Sequence, residues 1–437
     1  MKKFSIQNLI LFFLIIHIQL AYSNNLSENI SKIQLENKNI VHFIKCGGAD
    51  SILIEANGKY GLIDSSNPYK YIENEVEHVD IDESIGEVNQ WVENPDHSVQ
   101  AVLNYLDFLK IEKLDFILGT HAHSDHIGGI PAIAYKYVNE KTKYYYRKYR
   151  TTKEDTSQVD WANYKYYLAA IHSMEKKNAE LIDVTNKFYK FNFGDFNLEI
   201  LNTDIDPDEL NLGENQNSIV VLLSYNYKRL LLAADMISKD DKILKDYLGK
   251  IDILKLAHHG YSESSYEFLS TVKPDYVVIS NYHIPDYVNQ IINYLQDNLK
   301  TKIYLTEYIS GSSQDVENSA IKLIFNENTG YEFSNTGKEV TPNTDFTGWS
   351  HWIDKWTYIK NGKMLKGWQE LEWSQGKDLF YFNAEGFSVT GWQNLERNGT
   401  VHTFYFLPEN CTMVANKCID IDGKNYCFDE NGYLISG

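Results

Sequence analysis

Cysteine is scarce in this chain. Four of the 437 residues are cysteines: Cys46, and Cys411, Cys418 and Cys427 near the carboxyl end. None stands in a Cys-x-x-Cys pair, so the spacing argues against a zinc site built from thiolates. If the chain is exported, two of the last three can form a disulfide, which leaves one odd thiol and the distant Cys46.

Basic residues are also in deficit. The chain has 41 Lys and Arg against 60 Asp and Glu, which gives a formal net charge of −19. Such a surface repels a nucleic-acid backbone and attracts cationic ligands. The charge therefore argues against a nuclease and favours a positively charged ligand or substrate.

Long apolar runs are missing everywhere except at the amino end. Lys2 and Lys3 precede the apolar stretch Phe4–Leu20, and Ala21-Tyr22-Ser23 follows it with small residues at its first and third positions. This arrangement predicts a secretory signal peptide over residues 1–23 and a mature chain that begins near Asn24. A retained membrane anchor is the alternative. No other run is long enough to span a bilayer.

The remaining sequence changes character near residue 336. Before it, short apolar runs such as Asp50–Glu55 and Tyr60–Asp64 alternate with helical patterns such as Ser238–Leu248. This mixture of hairpin and strand-helix-strand patterns predicts sheets covered by helices. Beyond that residue come a polar stretch and an aromatic-rich end. We expect one globular domain over residues 24–335, a linker over 336–347 and a module over 348–437.

The segment Thr120–Gly129, which reads THAHSDHIGG, is rich in metal ligands. It follows the apolar strand Leu114–Leu118 and ends in two glycines that can open a helix. His121 and His123 are two residues apart, so on an extended or turning backbone both imidazoles can point the same way. Asp125 and His126 can then turn toward a second metal position. The segment therefore predicts two metal positions suited to hydrolysis. The ligands it offers are His121, His123, Asp125 and His126.

Two later strand ends offer further ligands. The apolar run Leu230–Ala234 ends in Asp235, whose carboxylate can bridge two cations. The run Leu254–Ala257 ends in His258 and His259. One imidazole of this pair is expected to bind metal, and the other to face the substrate or support a ligand.

This set of residues resembles the signature of the metallo-β-lactamase superfamily, a His-x-His-x-Asp-His motif followed by a bridging Asp and a later His. The resemblance covers roughly residues 40–335 and implies an α/β fold, the αββα sandwich. It also implies that Asp64, after the early hairpin, supports the metal loop. Two Zn²⁺ ions are expected, with Mn²⁺ or Fe²⁺ as alternatives.

The resemblance also implies a division of the ligands between the two ions. The first ion would be held by His121 and His123, the second by Asp125, His126 and the late histidine, with Asp235 shared. His258 is the expected late ligand, and His259, Asp125 and Asp235 are expected to take part in catalysis.

One stretch departs from the family pattern. Many members give the first ion a third histidine shortly before the strand that leads to the bridging Asp, but Leu212–Val220 contains none. The form NQNSIVV is similar to a branch that contains DNA-uptake channel hydrolase domains and choline-binding phosphorylcholine esterases.

Gly-Trp pairs recur in the aromatic end, at Trp349, Trp368 and Trp392. Between them lie short strands with Asn-Gly-type turns, and such hairpins are too small to bury their own aromatic residues. The units resemble choline-binding cell-wall repeats, in which aromatic residues of successive hairpins hold a quaternary ammonium group by cation–π attraction. A purely structural or glucan-binding stack is the alternative. The expected cage residues are Trp368, Tyr381, Trp392 and Tyr405.

A two-metal hydrolase with such repeats resembles the teichoic-acid phosphorylcholine esterases. We therefore expect a secreted, non-covalently wall-attached phosphodiesterase that releases phosphocholine from choline-bearing surface polymers and has no nucleic-acid partner. Trp91, Trp161 and the Tyr144–Tyr146 run are candidates for an aromatic wall around the trimethylammonium group, although core packing explains each as well. A general phosphodiesterase or nuclease of the DNA-uptake branch and a non-catalytic wall-binding adhesin are the alternatives.

Overall fold

The computed structural model describes residues 38–67, 97–149, 161–204, 214–261, 264–284, 288–307, 315–340, 346–352, 355–374 and 376–436. The predicted signal peptide, Trp91 and the side chain of Trp161 lie outside the described residues. Within the described ranges, no helix has both the length and the apolar character needed to cross a bilayer. The chain divides into two compact units, Met1–Ala234 with Thr306–Gly337 and Asp235–Leu305 with Lys338–Gly437.

The first unit is built on an eight-stranded mixed sheet. Its strands are β1 (Asn39–Ile44), β2 (Ile52–Ala56), β3 (Lys59–Ile63), β4 (Phe116–Leu118), β5 (Lys143–Tyr146), β6 (Glu180–Asp183), β14 (Ala320–Asn326) and β15 (Gly330–Asn335). They lie in the order β15-β14-β1-β2-β3-β4-β5-β6. The turn between β2 and β3 has positive φ at Asn57 (52°) and Gly58 (76°), as a two-residue hairpin requires, which confirms the predicted pairing.

A second layer of antiparallel strands packs on one face of this sheet within the same unit. It consists of β7 (Tyr189–Phe193), β8 (Phe196–Leu201), β9 (Val220–Tyr225) and β10 (Lys228–Leu232). Aromatic rings join the layers: the ring centroids of Phe116 and Phe193 are 4.9 Å apart, and those of Tyr145 and Phe191 are 5.0 Å apart. Such ring pairs stabilise beyond the apolar area they bury.

Four helices cover the other face of the eight-stranded sheet. They are α1 (His97–Phe108), α2 (Ser124–Ile127), α3 (Ile130–Tyr137) and α4 (Trp161–Lys176). In α1 the buried residues include Val99, Val102 and Leu106, whose helical spacing gives one apolar stripe. These residues share one core with Leu53 and Ile117 of the sheet.

The second unit contains three parallel strands, each preceded by a helix. The strands are β11 (Ile253–Lys255), β12 (Tyr276–Ile279) and β13 (Lys302–Leu305), and the helices are α5 (Ser238–Leu248), α6 (Tyr266–Val272) and α7 (Asn289–Asn293). The short strand β16 (Lys338–Glu339) pairs antiparallel with β13. Part of the stretch expected to be a linker is therefore a sheet edge.

The end of the chain forms the successive short hairpins that the sequence predicts. Their strands are β17 (Gly348–Trp352), β18 (Lys355–Lys360), β19 (Lys363–Met364), β20 (Gly367–Trp373), β21 (Gly376–Phe382), β22 (Gly391–Arg397), β23 (Thr400–Phe406), β24 (Lys417–Ile421), β25 (Lys424–Phe428) and β26 (Leu434–Ser436). Cys418 and Cys427 lie opposite each other in β24 and β25 and form a disulfide, which confirms that two of the last three cysteines pair. Cys411 and Cys46 are free and buried.

Candidate functional site

The metal-ligand loop begins where β4 ends. The three residues of β4 are buried, and the chain then turns through Thr120–His123 into the single turn of α2. Gly129 follows, and a Cβ there would lie 2.1 Å from the carbonyl oxygen of Ser65, so only glycine fits. Helix α3 starts at the next residue, as the two glycines predict.

The loop presents its four candidate ligands as two pairs. His121 Nε2 lies 3.0 Å from His123 Nδ1, so these two ring nitrogens face one point. Asp125 Oδ2 lies 3.9 Å from His126 Nε2. Each pair offers ligand atoms within 4.8 Å of each other. This is the division into two positions that the spacing predicts.

Asp64 contacts the first and last parts of the loop, at Thr120 and His126. It follows β3 with a positive φ of 58°. Its Oδ1 accepts a hydrogen bond from Thr120 N (2.9 Å), and its Oδ2 accepts one from Thr120 Oγ1 (2.8 Å) and lies 2.7 Å from His126 Nδ1. Burial raises the pKa of Asp64, and the adjacent His126 opposes this. Because His126 Nδ1 contacts Asp64, Nε2 is the ring nitrogen of His126 that could bind a metal. These contacts confirm the prediction that Asp64 supports the loop.

The second unit carries the other three candidates. Asp235 and His259 are buried, and Asp235 Oδ1 lies 3.5 Å from His259 Nε2. His259 Nδ1 lies 3.1 Å from the carbonyl oxygen of Ser280, so Nδ1 donates in this contact and Nε2 is the ring nitrogen that can act as a ligand. His258 has a side chain 27% exposed, with Nε2 3.8 Å from Asp235 Oδ2. His259 is thus the buried member of the pair and His258 the partly exposed one.

Backbone strain marks these strand ends. Ala234, His258 and His259 all have positive φ, of 45°, 49° and 51°. Non-glycine residues in this region cost free energy and persist where the surrounding structure enforces them, often at functional sites. Here the strain turns two consecutive imidazoles to different surroundings, one buried and one partly exposed.

A tyrosine-lined cavity adjoins the loop within the first unit. His121, Tyr144, Tyr146, Tyr149 and Tyr167 contribute to its wall, together with Arg147 and Glu214. Tyr144 and Tyr146 point to the same face of β5, with parallel rings whose centroids are 5.6 Å apart. Tyr145 points to the opposite face and stacks on Phe191, so only the first and third residues of the predicted run face this cavity.

The aromatic residues of the repeats form a regular ladder. Trp368 lies opposite Tyr381, and its ring centroid is 5.1 Å from that of Tyr381 and 4.8 Å from that of Phe404 in the next hairpin. Trp392 repeats the pattern, at 5.0 Å from Tyr405 and 4.7 Å from Tyr426. The four predicted cage residues therefore form contacts within and between hairpins.

An open aromatic pocket lies at the first hairpin. A cavity of about 360 Å³ is lined by four aromatic side chains and a carboxylate: Trp349, Trp356, Trp373, Phe380 and Glu409. These residues were not among the predicted cage residues. What distinguishes the first hairpin is Trp356, two residues before the tyrosine that lies opposite Trp349. The next two hairpins have Leu379 and Thr403 at the corresponding position.

A cation of the protein itself covers the second ladder tryptophan. The guanidinium carbon of Arg397 lies 5.1 Å from the ring centroid of Trp368, and Arg397 Nη1 donates a hydrogen bond to Asn431 O (2.7 Å). This is cation–π geometry. Trp368 thus already has a cationic neighbour.

Clustered imidazole and carboxylate groups at strand ends of a mixed α/β fold form a candidate site for divalent metal ions. The sequence matches the metallo-β-lactamase superfamily over residues 44–283, more than half of the chain. The chain belongs to this superfamily. Its fold is the metallo-β-lactamase fold followed by short β-hairpins, which confirms the predicted fold class.

Comparison with individual proteins gives more distant similarities. Recombination protein 2 of Haemophilus influenzae is 25% identical over 189 residues, which cover 41% of this chain and 20% of that protein, so the chain spans about a fifth of this curated relative. The metallo-beta-lactamase fold protein YhfI from Bacillus subtilis has 12% identity, covering 61% of this chain and 95% of that chain, with a TM-score of 0.36. The choline binding domain of Spr1274 in Streptococcus pneumoniae has 25% identity, covering 17% of this chain and 97% of that chain, with a TM-score of 0.14.

Proposed function

We propose that the protein is a two-metal phosphodiesterase that releases phosphocholine from choline-bearing polymers at a cell surface. The observation that carries the proposal is the presence on one chain of a hydrolase ligand set and of an aromatic pocket with a carboxylate. The superfamily match runs through both the His121–His126 loop and the His258-His259 pair. The acidic net charge favours a cationic head group.

The ligand set fits two zinc-like ions. Imidazole nitrogens and carboxylate oxygens are the ligands that such ions take in hydrolases. By the superfamily pattern, His121 and His123 would hold one ion, and Asp125, His126 and a late histidine the other, with Asp235 serving both. The burial of His259 favours it as that late histidine. The ions would supply Lewis acidity toward phosphoryl oxygens and would lower the pKa of a bound water molecule.

The chain's own residues orient this chemistry. Asp64 and the carbonyl oxygen of Ser280 keep His126 and His259 in single tautomers. His258, partly exposed beside Asp235, is then the group that protonates the leaving oxygen. This reverses the division between His258 and His259 expected from the sequence.

The repeats would bring the enzyme to its polymer. The four aromatic side chains of this pocket, two from the first hairpin and two from the second, can surround a quaternary ammonium group, and Glu409 adds a negative charge to the same wall. Such a module suits a secreted or wall-attached protein.

The test compares hydrolysis of p-nitrophenylphosphorylcholine and bis-p-nitrophenyl phosphate, with and without added zinc. The variants are Asp235→Ala and, as a matched control, Asp246→Ala, whose side chain is 81% exposed. Zinc-dependent turnover that favours the choline ester, is lost in Asp235→Ala and is kept in Asp246→Ala supports the proposal. No turnover on either ester would leave a non-catalytic adhesin or a hydrolase of another bond.

A general phosphodiesterase or nuclease is the second candidate. It is favoured by the similarity to Recombination protein 2 and opposed by the net charge of −19. Turnover restricted to bis-p-nitrophenyl phosphate and to DNA would select this candidate.

A further inference from the structure

The backbone between the first two histidine ligands is held by a carboxylate from a distant part of the chain. Ala122 stands between His121 and His123, and its N–H donates a hydrogen bond to Glu214 Oε1 at 3.1 Å. Glu214 lies 92 residues further along the sequence, in a single 3-10 turn before β9. It also lines the cavity next to His121.

The carboxylate is itself fixed. Asn217, which is buried, donates from Nδ2 to Glu214 Oε2 at 3.1 Å, so each carboxylate oxygen has a defined partner. Two residues further on, Ile219 N donates to Thr120 O at 2.9 Å. The segment 214–219 therefore contacts the loop at two points, on either side of His121.

The hydrogen bond to Ala122 acts on the directions of both imidazoles. A histidine two residues from another shares its orientation only while the peptide units between them keep their φ and ψ values. His121 Nε2 and His123 Nδ1 lie 3.0 Å apart, so a small rotation of the intervening peptide would separate the two ligand atoms. Asp64 fixes the peptide before this one, through Thr120 N, whereas Glu214 fixes the peptide that ends at Ala122 N.

We propose that Glu214 is the positioning residue of the His121–His123 pair. Through Ala122 it sets the angle at which the two imidazoles meet an ion, and so controls the affinity of that ion alone. The Asp125–His126 pair is oriented by Asp64 and does not depend on Glu214. The inference rests on the proposed two-metal site, but not on the identity of the substrate.

The test is a chelator titration of zinc-loaded full-length protein, with bound zinc counted by mass spectrometry. His123→Ala and His126→Ala assign the release steps to the two ions. In Glu214→Ala, the His121–His123 ion should be released at about 10- to 100-fold lower free chelator, as for other residues that orient metal ligands, with the other ion unchanged. Glu214→Gln keeps an oxygen that can accept from Ala122 N, and should restore affinity to within a few-fold of wild type.

Controls separate this role from a general loss of structure. Glu180→Ala removes an exposed glutamate, the first residue of β6, and should leave both release steps unchanged. Visible spectra of cobalt-loaded protein should change in Glu214→Ala and return in Glu214→Gln. Wild-type affinity for both ions in Glu214→Ala would overturn the proposal, as would equal weakness of the Gln and Ala variants. Because no ester is used, the outcome is independent of whether the protein hydrolyses phosphocholine esters.

Discussion

Asp64 shows how much of the metal loop depends on one carboxylate. It accepts two hydrogen bonds from Thr120 and contacts His126, and all three residues are buried. We expect Asp64→Ala to weaken binding of the ion held by Asp125 and His126 by about 10- to 100-fold, because His126 loses its orienting partner. Isothermal titration with zinc measures this. Asp107→Asn, a partly exposed carboxylate on α1, is the control, and an unchanged zinc affinity in Asp64→Ala would contradict the expectation.

Arg397 gives a second prediction at a single residue. Its guanidinium lies over Trp368, where a ligand cation would otherwise sit. We expect Arg397→Ala to expose that ring and raise the number of choline molecules bound per chain by one, because a cation–π contact of about 0.5–1 kcal/mol no longer competes. Equilibrium dialysis with labelled choline counts the sites. Lys377→Ala, which removes an exposed cation paired with Glu370, should leave the count unchanged.

The sequence predicted residue roles where chemistry alone decides them. The clustering of potential ligand atoms in the His121–His126 loop was predictable because these residue types have few other uses at that spacing, whereas the contact of Asp64 with this loop followed from the resemblance to the superfamily. The burial of His259 and the partial exposure of His258 were not predictable, because they depend on two consecutive positive φ angles that no residue type signals. The pocket at Trp349 was missed because all three Gly-Trp units look alike until the strand register separates Trp356 from Leu379 and Thr403.

Helices α5 and α6 are joined by a buried acid with an altered pKa. Asp241, on α5, accepts hydrogen bonds from the backbone N and Oγ of Ser265, whose Oγ in turn caps α6 by accepting from Phe268 N. Burial raises the pKa of Asp241 from 3.8 to about 7, although the Ser265 bonds and Lys242 oppose this; Asp240 adds to it. The folded state therefore holds a proton that the unfolded state releases.

The sign of the resulting pH dependence follows from the direction of this shift. The contribution of Asp241 is fully present below pH 3.8 and is lost as the pH rises toward 7. In Asp241→Asn, Oδ1 can accept from Ser265 N and Nδ2 can donate to Ser265 Oγ without any titrating proton. The variant should therefore become more stable than wild type by up to about 4 kcal/mol at pH 8, with little difference at pH 4. Urea unfolding at the two pH values measures this. Equal stability of the two proteins at pH 8 would show that folding does not raise the pKa of Asp241.

Helices and strands with a strong hydrophobic periodicity could be predicted from the sequence, whereas elements with a weak pattern could not. Residues Ser238–Leu248 were predicted as a helix and form α5 with the same bounds. Helix α7 is followed by a π turn over Tyr294–Asn298, and no sequence pattern marks this change in backbone hydrogen bonding. Strand β16 was not predicted, since two polar residues carry no pattern and gain their structure by pairing with β13.

On the scale of the whole chain, the first hairpin belongs structurally with the helices of the second unit. Trp352 is 1% exposed, its Nε1 donates to Ser264 O at 2.9 Å, and its ring packs near Tyr294 and Phe387. Ser350 Oγ donates to Gln290 Oε1 on α7 at 2.6 Å. The sequence places the end of the hydrolase domain at residue 335, but these contacts extend its packing into the first repeat.

This packing predicts an asymmetry between two truncations. A chain ending at residue 347 lacks Trp352 and exposes the apolar surfaces of Tyr266 and Tyr294, so it should unfold at a lower temperature or aggregate. A chain ending at residue 390 keeps Trp352 and Phe387 and should retain the wild-type thermal transition of this unit and its zinc binding.

Trp352→Ala in the full chain should lower the free energy of unfolding by about 3–5 kcal/mol, as for other buried large-to-small changes. Calorimetry of the three proteins measures this, with Trp392→Ala, a ladder tryptophan 39% exposed, as the matched control. Equal stability of the two truncated chains would mean that the first hairpin is only a repeat, and that the hydrolase domain does end at residue 335.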